Sequence, residues 1–342
     1  MKSSLKIKAL ALAIAAVSTA PAAFAQNVQV YGLVDVGYLH QSGSTVANAG
    51  SKNSISNETG SGANQLGFQG SEDLGNGLKA KFQLELQTVV DSGALSGFRQ
   101  SWVALAGGFG QLTLGRDYSP TFIAAFGGEY CGWCGIGSIA ALTGQGLRNS
   151  NMVKYNSPSF GGFSAALSHS AGEQAGNSGG NNDEAALYYS AGPVNVAYAH
   201  RDNKVDAAGA ASTTVKQKGN YLTGNFDFGM GKVYALFGSE KNNVATINEK
   251  YSSLGVMFRV GGGDLAFEAV RVKDKTAGAK DSRMASVAYF YPLSKRTKVY
   301  AQYAKVSNDS GVKRNVYPGS DALTLNNGDD PKMYTVGLRH SF

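Results

Sequence analysis

Apolar and polar residues alternate with a period of two along most of this 342-residue chain. In the stretch 78–87, every second residue is apolar and each residue between is charged or an amide, as in Leu84 beside Glu85. The segments 28–38 and 334–342 show the same alternation. Because successive side chains of a β-strand point to opposite faces, the pattern predicts strands that are apolar on one face and polar on the other.

The links between these segments alternate between short and mostly longer ones. The short links contain glycine or serine and lie near 73–77, 107–110, 159–162, 192–193, 229–231, 261–263 and 294–296. The other links are polar and lie near 42–62, 92–97, 118–149, 172–182, 203–215, 242–247, 274–281 and 307–330. Seven short links and eight others predict sixteen strands. Short turns at one end, longer loops at the other and an even strand number are typical of a transmembrane barrel.

Closure of the sheet follows from the chemistry of lipid. Every backbone N–H and C=O in the bilayer must be paired within the protein, so a sheet there has no free edge. Sixteen strands are also enough to enclose an aqueous channel. We therefore predict one all-β domain over 26–342, a 16-stranded antiparallel transmembrane β-barrel. Aromatic residues near strand ends are expected to form girdles at the two membrane interfaces: Tyr38, Tyr188, Tyr289, Tyr291, Tyr300, Tyr303 and Phe342.

Residues 1–25 have the features of a secretory signal peptide. Three lysines among the first eight residues are followed by an apolar run over 9–17 and by alanines at positions 23 and 25. This order is the signature of a cleavable export signal. The apolar run is too short to cross about 30 Å of hydrocarbon as a helix. We predict cleavage before Gln26 and localisation in the outer membrane of a Gram-negative bacterium.

Composition argues against a nucleic-acid partner and against an enzyme. The chain has 31 basic and 24 acidic residues, and no basic run with interleaved aromatics. Glycine is frequent, at 45 of 342 residues, and its clusters lie in predicted hairpin turns, where a phosphate-binding loop does not fit. None of the four histidines lies in a nucleophile motif. No catalytic residue, cofactor or metal site is predicted.

Several motifs together resemble the general porins of β-proteobacteria. They are Val30-Tyr31-Gly32-Leu33-Val34-Asp35, the stretch 65–80, Phe98-Arg99-Gln100-Ser101, Leu114-Gly115-Arg116-Asp117, Tyr155-Asn156-Ser157-Pro158 and the stretch 337–342. The resemblance covers the predicted mature chain and is densest before residue 165. It implies a homotrimer of barrels, each a water-filled channel for passive diffusion of ions and small hydrophilic solutes.

The same resemblance indicates the surroundings of the barrel. It lies among outer-membrane lipid and lipopolysaccharide, and the barrel-assembly machinery of such bacteria recognises a terminal aromatic residue. Phe342, which follows an alternating strand, is therefore expected to be the assembly signal.

The third loop, 118–149, is expected to fold inward as the constriction, by the same resemblance. Arg99 is similar to a pore-lining arginine of anion-preferring relatives, and Arg148 is similar to another at the end of the third loop. Gln65 stands where the family carries a further arginine, which weakens the expected positive field. Lys154 shares strand parity with Arg148. For each cation, a solvated or interface position is the alternative.

Two further lysines and one acid complete the predicted constriction. Lys79 and Lys81 have inward parity, opposite the apolar residues of their strand. The loop segment 126–129 resembles the loop tip of enterobacterial porins, although Ala-Ala at 124–125 replaces Pro-Glu. Glu129 is the only acid in the loop. Because charged rings at a narrow passage set ion preference, we expect a moderate preference for anions.

Cys131 and Cys134 are the only cysteines and form a C-x-x-C motif. Since the predicted compartment is oxidising and no second pair is present, a small structural disulfide is favoured. Free thiols, or a redox or metal site, are the alternatives.

Other functions stay open at this point. A substrate-selective channel would use aromatic residues that stack on sugars at the constriction, and Tyr130 and Trp133 adjoin Glu129. A membrane-embedded hydrolase or an adhesin would depend on the histidines or on the outer loops.

Overall fold

The computed structural model describes residues 28–57, 63–130, 137–139, 147–175, 178–206, 214–278, 280–317, 319 and 322–342. Seventeen β segments within these ranges form one antiparallel sheet that closes on itself. They are β1 (Gln29–Ser42), β2 (Ser51–Asn57), β3 (Gln65–Gly75), β4 (Leu78–Val89), β5 (Ala94–Gly107), β6 (Gly110–Tyr118), β7 (Arg148–Asn156), β8 (Phe163–Ser170), β9 (Asn182–Ala191), β10 (Val194–Asp206), β11 (Thr214–Asp227), β12 (Gly231–Asn242), β13 (Asn248–Val260), β14 (Gly263–Asp274), β15 (Ser282–Pro292), β16 (Thr297–Asn308) and β17 (Lys332–Ser341). One short helix, α1 (Pro120–Phe126), follows β6.

The seventeen segments make sixteen membrane-spanning strands. β2 and β3 lie end to end along β1, whose outer half pairs with β2 and whose inner half pairs with β3. They form a single strand that is interrupted between Asn57 and Gln65. The predicted 16-stranded antiparallel barrel is therefore confirmed, whereas the predicted first loop, 42–62, is partly strand.

The first and last strands close the barrel. β1 pairs antiparallel with β17 from Leu33 opposite Ser341 to Ser42 opposite Lys332. Beyond β17, the backbones of Gly32 and Phe342 exchange two hydrogen bonds, each 3.1 Å long. The phenyl ring of Phe342 lies over Gly32, where an added Cβ would stand only 2.2 Å from the ring. This glycine makes room for the last aromatic side chain on the outer surface of the seam.

Side chains alternate between lipid and lumen as the period of two predicts. Leu84 on the outward face of β4 is 40% exposed, whereas its neighbour Glu85 is 3% exposed on the inward face. No helix in the ranges that the structure describes is long and apolar enough to span a membrane. The predicted signal peptide, 1–25, and the cysteines Cys131 and Cys134 lie outside those ranges.

Two of the aromatic residues expected in the girdles face the lumen instead. The Tyr188 hydroxyl donates a hydrogen bond to the carbonyl oxygen of Pro120 at 3.0 Å. The Tyr300 hydroxyl donates to Asp35 Oδ1 at 2.5 Å. Both rings lie on the inward parity of their strands, so a position near a strand end was not sufficient to assign them to the lipid face.

Candidate pore constriction

The loop between β6 and β7 turns inward at its first residues. Ser119 caps α1, because its hydroxyl accepts a hydrogen bond from the backbone N–H of Phe122 at 3.1 Å. Pro120 occupies the first turn, where a missing N–H costs nothing. The chain therefore changes from strand to helix within two residues, and α1 starts at the barrel wall.

Small residues allow α1 to lie flat against the inner wall of β9, β10 and β11. Ala124 packs in a buried cluster with Ala186, Ala197 and Ala199. The Thr223 hydroxyl donates to the carbonyl oxygen of Ala124 at 2.7 Å. Alanine at this position is thus explained by contact with a wall that is itself built from alanine.

The loop continues along the same wall after α1. Gly128 lies so close to β12 that an added Cβ would stand 2.9 Å from the carbonyl oxygen of Ala235. The ring of Tyr130 then packs against Phe290 on β15, with 6.4 Å between the ring centroids. Because its described residues lie inside the barrel, along the wall from β9 to β15, the prediction of an inward-folded third loop is confirmed.

The wall opposite the loop carries a buried ion pair. Arg99 Nε lies 2.7 Å from Glu85 Oε1, and Arg99 Nη2 donates to the Tyr118 hydroxyl at 2.5 Å. The Tyr31 hydroxyl donates to Glu85 Oε2 at 2.9 Å. The carboxylate of Glu85 thus holds the guanidinium of Arg99, and one tyrosine contacts each member of the pair. The charges of Glu85 and Arg99 therefore compensate each other locally.

A β-bulge turns Arg99 inward. Glu85 lies opposite Gln100 and the next residue, Leu86, lies opposite Phe98, so Arg99 is the extra residue between two registered pairs. Both Arg99 and Gln100 are buried on the inner side. Strand parity alone would place Arg99 on the lipid face. The bulge adds one residue to β5 and so allows Arg99 to face the lumen.

Arg148 reaches the same region from β7. Its guanidinium carbon lies 5.4 Å from the centre of the Tyr118 ring, a cation–π contact. Its Nη1 atom is buried and has no hydrogen-bond partner. Among the described residues, no carboxylate forms an ion pair with it. Arg148 is therefore a cation of this wall whose charge is paired with no acid in the described part of the chain.

A second ion pair lies below the first. Lys154 Nζ pairs with Asp117 Oδ2 and also donates to the carbonyl oxygen of Tyr118 at 3.0 Å. Gln100 donates to Asp117 Oδ1 at 2.6 Å and accepts from Gln83 at 2.9 Å. The charge of Lys154 is therefore compensated within a closed polar network.

The remaining predicted residues lie apart from this network. Lys81 faces inward and donates to Gln111 at 3.2 Å, while Lys79 is exposed near the turn between β3 and β4. Gln65 lies opposite Gln87 on the inward face. Glu129 is buried in the loop, where its carboxylate accepts from the Ser138 hydroxyl at 2.8 Å and from the Ile139 N–H at 2.6 Å.

Sequence reasoning missed most of the acids inside the barrel. Glu85 has the same inward parity as Lys79 and Lys81, and this signal would have identified it. Glu184 accepts from the backbone N–H of Thr121 at 2.9 Å and so anchors the start of α1. Glu240 pairs with Arg201 on the side of α1 that faces the longer loops. These carboxylates hold the loop and wall in place.

A cavity of about 690 Å³ lies between the loop and the short-turn end of the barrel. Phe126 and Tyr130 form part of its upper side. Four cations and two acids contribute to its lining: Lys295, Arg296, Lys298, Arg339, Glu129 and Asp264. This cavity, the vestibule, therefore has an excess of positive side chains.

A closed 16-stranded barrel with an inward loop and a charged passage defines an outer-membrane channel. The profile of the Gram-negative porin family matches residues 9–311, and the chain belongs to this family. It is 29% identical to outer membrane porin protein 32 of Delftia acidovorans, over 97% of this chain and 99% of that protein.

Solved structures show the same architecture. The anion-selective porin from Comamonas acidovorans superposes with a TM-score of 0.82 at 27% identity, covering 93% of this chain and 100% of that one. OmpT of Vibrio cholerae in its trimer form has a TM-score of 0.70 at 17% identity, with 93% and 100% covered. At 17% identity, the similarity to OmpT shows a shared fold only.

Proposed function

We propose that this porin is a general diffusion channel for ions and small hydrophilic solutes, with a moderate preference for anions. The observation that carries the proposal is the balance of charge at the constriction. Glu85 compensates Arg99 and Asp117 compensates Lys154, so these pairs contribute little net field. Arg148, together with Lys81, which donates to Gln111 and forms no ion pair among the described residues, then supplies the net positive charge of the wall opposite the loop.

The charges of the vestibule and of the loop also favour anions. Four cations against two acids line the cavity below the constriction. Glu129, the only acid of the loop, is tied by hydrogen bonds to Ser138 and Ile139. A positive approach raises the local concentration of anions before they reach the narrow passage. The anion selectivity of the Comamonas relative supports the same assignment.

The assembly and the partners of the barrel are also part of the proposal. We propose a homotrimer, which the trimeric form of the Vibrio structure supports. We further propose that residues 1–25 are removed on export and that the barrel-assembly machinery recognises Phe342. The mature barrel then contacts outer-membrane lipid and lipopolysaccharide.

A substrate-selective channel has less support. Tyr130, which could have offered a stacking surface, is buried against Phe290 and Tyr300. An enzyme is also disfavoured, because all four histidines lie on the outward parity of their strands: His40, His169, His200 and His340. We therefore propose transport without catalysis.

Liposome swelling with a series of neutral sugars tests the proposed diffusion. A general channel should admit them in order of size alone, with no saturation as the concentration rises. Rates that saturate, or that differ severalfold between sugars of equal size, would instead show a selective channel.

A further inference from the structure

Two large apolar side chains on α1 face the open passage. Ile123 and Phe126 are 45% and 49% exposed, although they lie inside the barrel rather than on its lipid face. They are three residues apart and so share one side of the helix. The other side, which includes Ala124, packs against the wall of the barrel. An apolar side chain that stays exposed in a polar lumen offers a surface to which an apolar group can bind.

The ring of Phe126 is held in place by its neighbours. It meets the ring of Phe122 edge to face, with 5.9 Å between the centroids, and Phe122 stacks on Tyr118 at 4.8 Å. The side-chain amide of Asn225 donates to the carbonyl oxygen of Gly127 at 2.9 Å, which ties the end of α1 to β11. A ring that is already fixed costs a ligand little ordering of the protein. Phe126 is therefore a preorganised apolar surface at the upper side of the vestibule.

The wall of the barrel completes the apolar part of the vestibule. Tyr234 on β12 and Met257 on β13 are half-buried and pack against a cluster that contains Tyr130 and Phe290. All four side chains line the cavity. Its volume of about 690 Å³ lies within the range of about 300–1,000 Å³ that is usual for ligand sites, which are mostly apolar with a few placed polar groups. The vestibule therefore has the size and the apolar lining of a site for a small organic molecule.

Two cations adjoin the apolar lining directly. Lys298 Nζ lies 5.1 Å from the centre of the Phe290 ring, a cation–π contact. Lys298 on β16 lies directly opposite Arg339 on β17, and like charges opposed on one face are unfavourable. Asp35 on β1 lies opposite Arg339 on its other side and compensates one of the two charges. This row of three side chains therefore keeps one net positive charge beside an aromatic ring.

The remaining charges of the lining also favour an anion. Lys295 and Arg296 are exposed in the turn between β15 and β16, at the mouth of the vestibule. Of the two acids, Glu129 is hydrogen-bonded within its own loop. Asp264 lies directly opposite Arg259 on β13, so a cation stands beside it. The lining therefore presents apolar rings together with a net positive charge.

We propose that the vestibule is a weak binding site for organic anions with an aromatic body, which include aromatic carboxylates and sulfonates. The inference rests on the proposed anion-preferring channel, which puts the vestibule on the path of the solute. The anionic group contacts Lys298, and the aromatic body packs against Phe126 and Tyr234. An inorganic anion gains only the first contact and a neutral aromatic molecule only the second, so the site favours molecules that combine both.

Block of the chloride current by two matched anions tests the proposal. Single channels are recorded in a planar bilayer in dilute KCl at neutral pH, and benzenesulfonate is added to both sides at rising concentration. Methanesulfonate has the same charged group without the ring, and benzamide has the ring without the charge. Benzenesulfonate should reduce the current saturably, with half-saturation at a concentration roughly tenfold below that of methanesulfonate, as one aromatic contact implies. Benzamide should reduce the current least.

Three variants assign the two contacts. Phe126→Ala removes the ring from the vestibule, so the two sulfonates should then block at similar concentrations. Lys298→Gln removes the charge but keeps a long side chain, so both sulfonates should block more weakly while their order is kept. The matched control is Phe163→Ala, which removes a ring that is 51% exposed on the outer surface of the barrel. This control should be blocked like the wild type.

Three results would overturn the proposal. They are equal block of the wild type by the two sulfonates, an unchanged difference between them in Phe126→Ala, and block by benzamide at the concentrations at which benzenesulfonate acts. The first comparison needs no variant, so misfolding cannot produce it. The ratio of chloride to potassium permeability is measured in the same bilayers. A channel that prefers potassium would contradict the proposed function, whereas a chloride-preferring channel that does not distinguish the sulfonates would contradict this inference alone.

Discussion

Neutralising Glu85 should raise the preference for anions, because it leaves the charge of Arg99 uncompensated. In Glu85→Gln the side chain keeps its shape and an oxygen that accepts from Arg99 Nε, which now lies 2.7 Å from the carboxylate. Two unit charges about 8 Å apart interact by about 2 kcal/mol at an effective dielectric of about 20. At 0.1 M salt, with a Debye length of about 10 Å, roughly 1 kcal/mol remains.

This energy corresponds to a change of about fivefold in the permeability of each ion at the eyelet. The measurement is the ratio of chloride to potassium permeability of single channels in a planar bilayer, at 0.1 M KCl. Because the permeabilities of chloride and potassium change in opposite directions, we expect their ratio to rise by roughly twenty-fivefold in Glu85→Gln. The increase should vanish at 1 M, where the Debye length is about 3 Å.

The matched control is Glu85→Gln/Arg99→Gln, which removes both members of the pair. Since the pair is neutral as a whole, its selectivity should stay close to that of wild type, while Arg99→Ala alone should shift selectivity toward cations. Thermal unfolding of each variant shows whether the barrel is intact. An intact Glu85→Gln channel with an unchanged permeability ratio would refute the assignment of this wall to the ion path.

The other predictions concern three separate features. Arg148→Gln should shift selectivity toward cations by roughly the same factor, because it removes one positive charge that no acid compensates. An unchanged permeability ratio would show that Arg148 does not lie at the eyelet. Deleting Phe342 should reduce the yield of barrels in the outer membrane, because the seam loses two backbone bonds to Gly32, and an undiminished yield would contradict its role in assembly. If Cys131 and Cys134 form a disulfide, a thiol reagent should label the unfolded protein only after reduction; full labelling without reductant would show free thiols.

The period of two and the order of short and long links were sufficient to predict the barrel and its strand number, because backbone pairing in lipid permits few alternatives. The inward faces of Lys79, Lys81 and Lys154 followed from parity in regular strands. Arg99 could be located only through the family resemblance, since its inward position depends on a bulge that parity counting does not anticipate.

The pairing of charges was not predictable from the sequence either. Glu85 and Arg99 are fourteen residues apart and meet through the register of β4 and β5. Tyr31 and Tyr118 join them from β1 and β6, which flank β3, β4 and β5 in the registered sheet. A count of cations along the chain therefore overestimates the positive field, because it omits the carboxylates that the fold places beside them.

The most direct test of this account is the zero-current potential of the wild-type channel across a tenfold gradient of KCl. With a dilute side at about 0.01 M, where the Debye length is about 30 Å, the account predicts a potential of the sign that shows chloride to be more permeant. The preference should decline as both solutions are made more concentrated at the same ratio. A potential that shows potassium to be more permeant at low salt would contradict the central claim that uncompensated positive charge controls this pore.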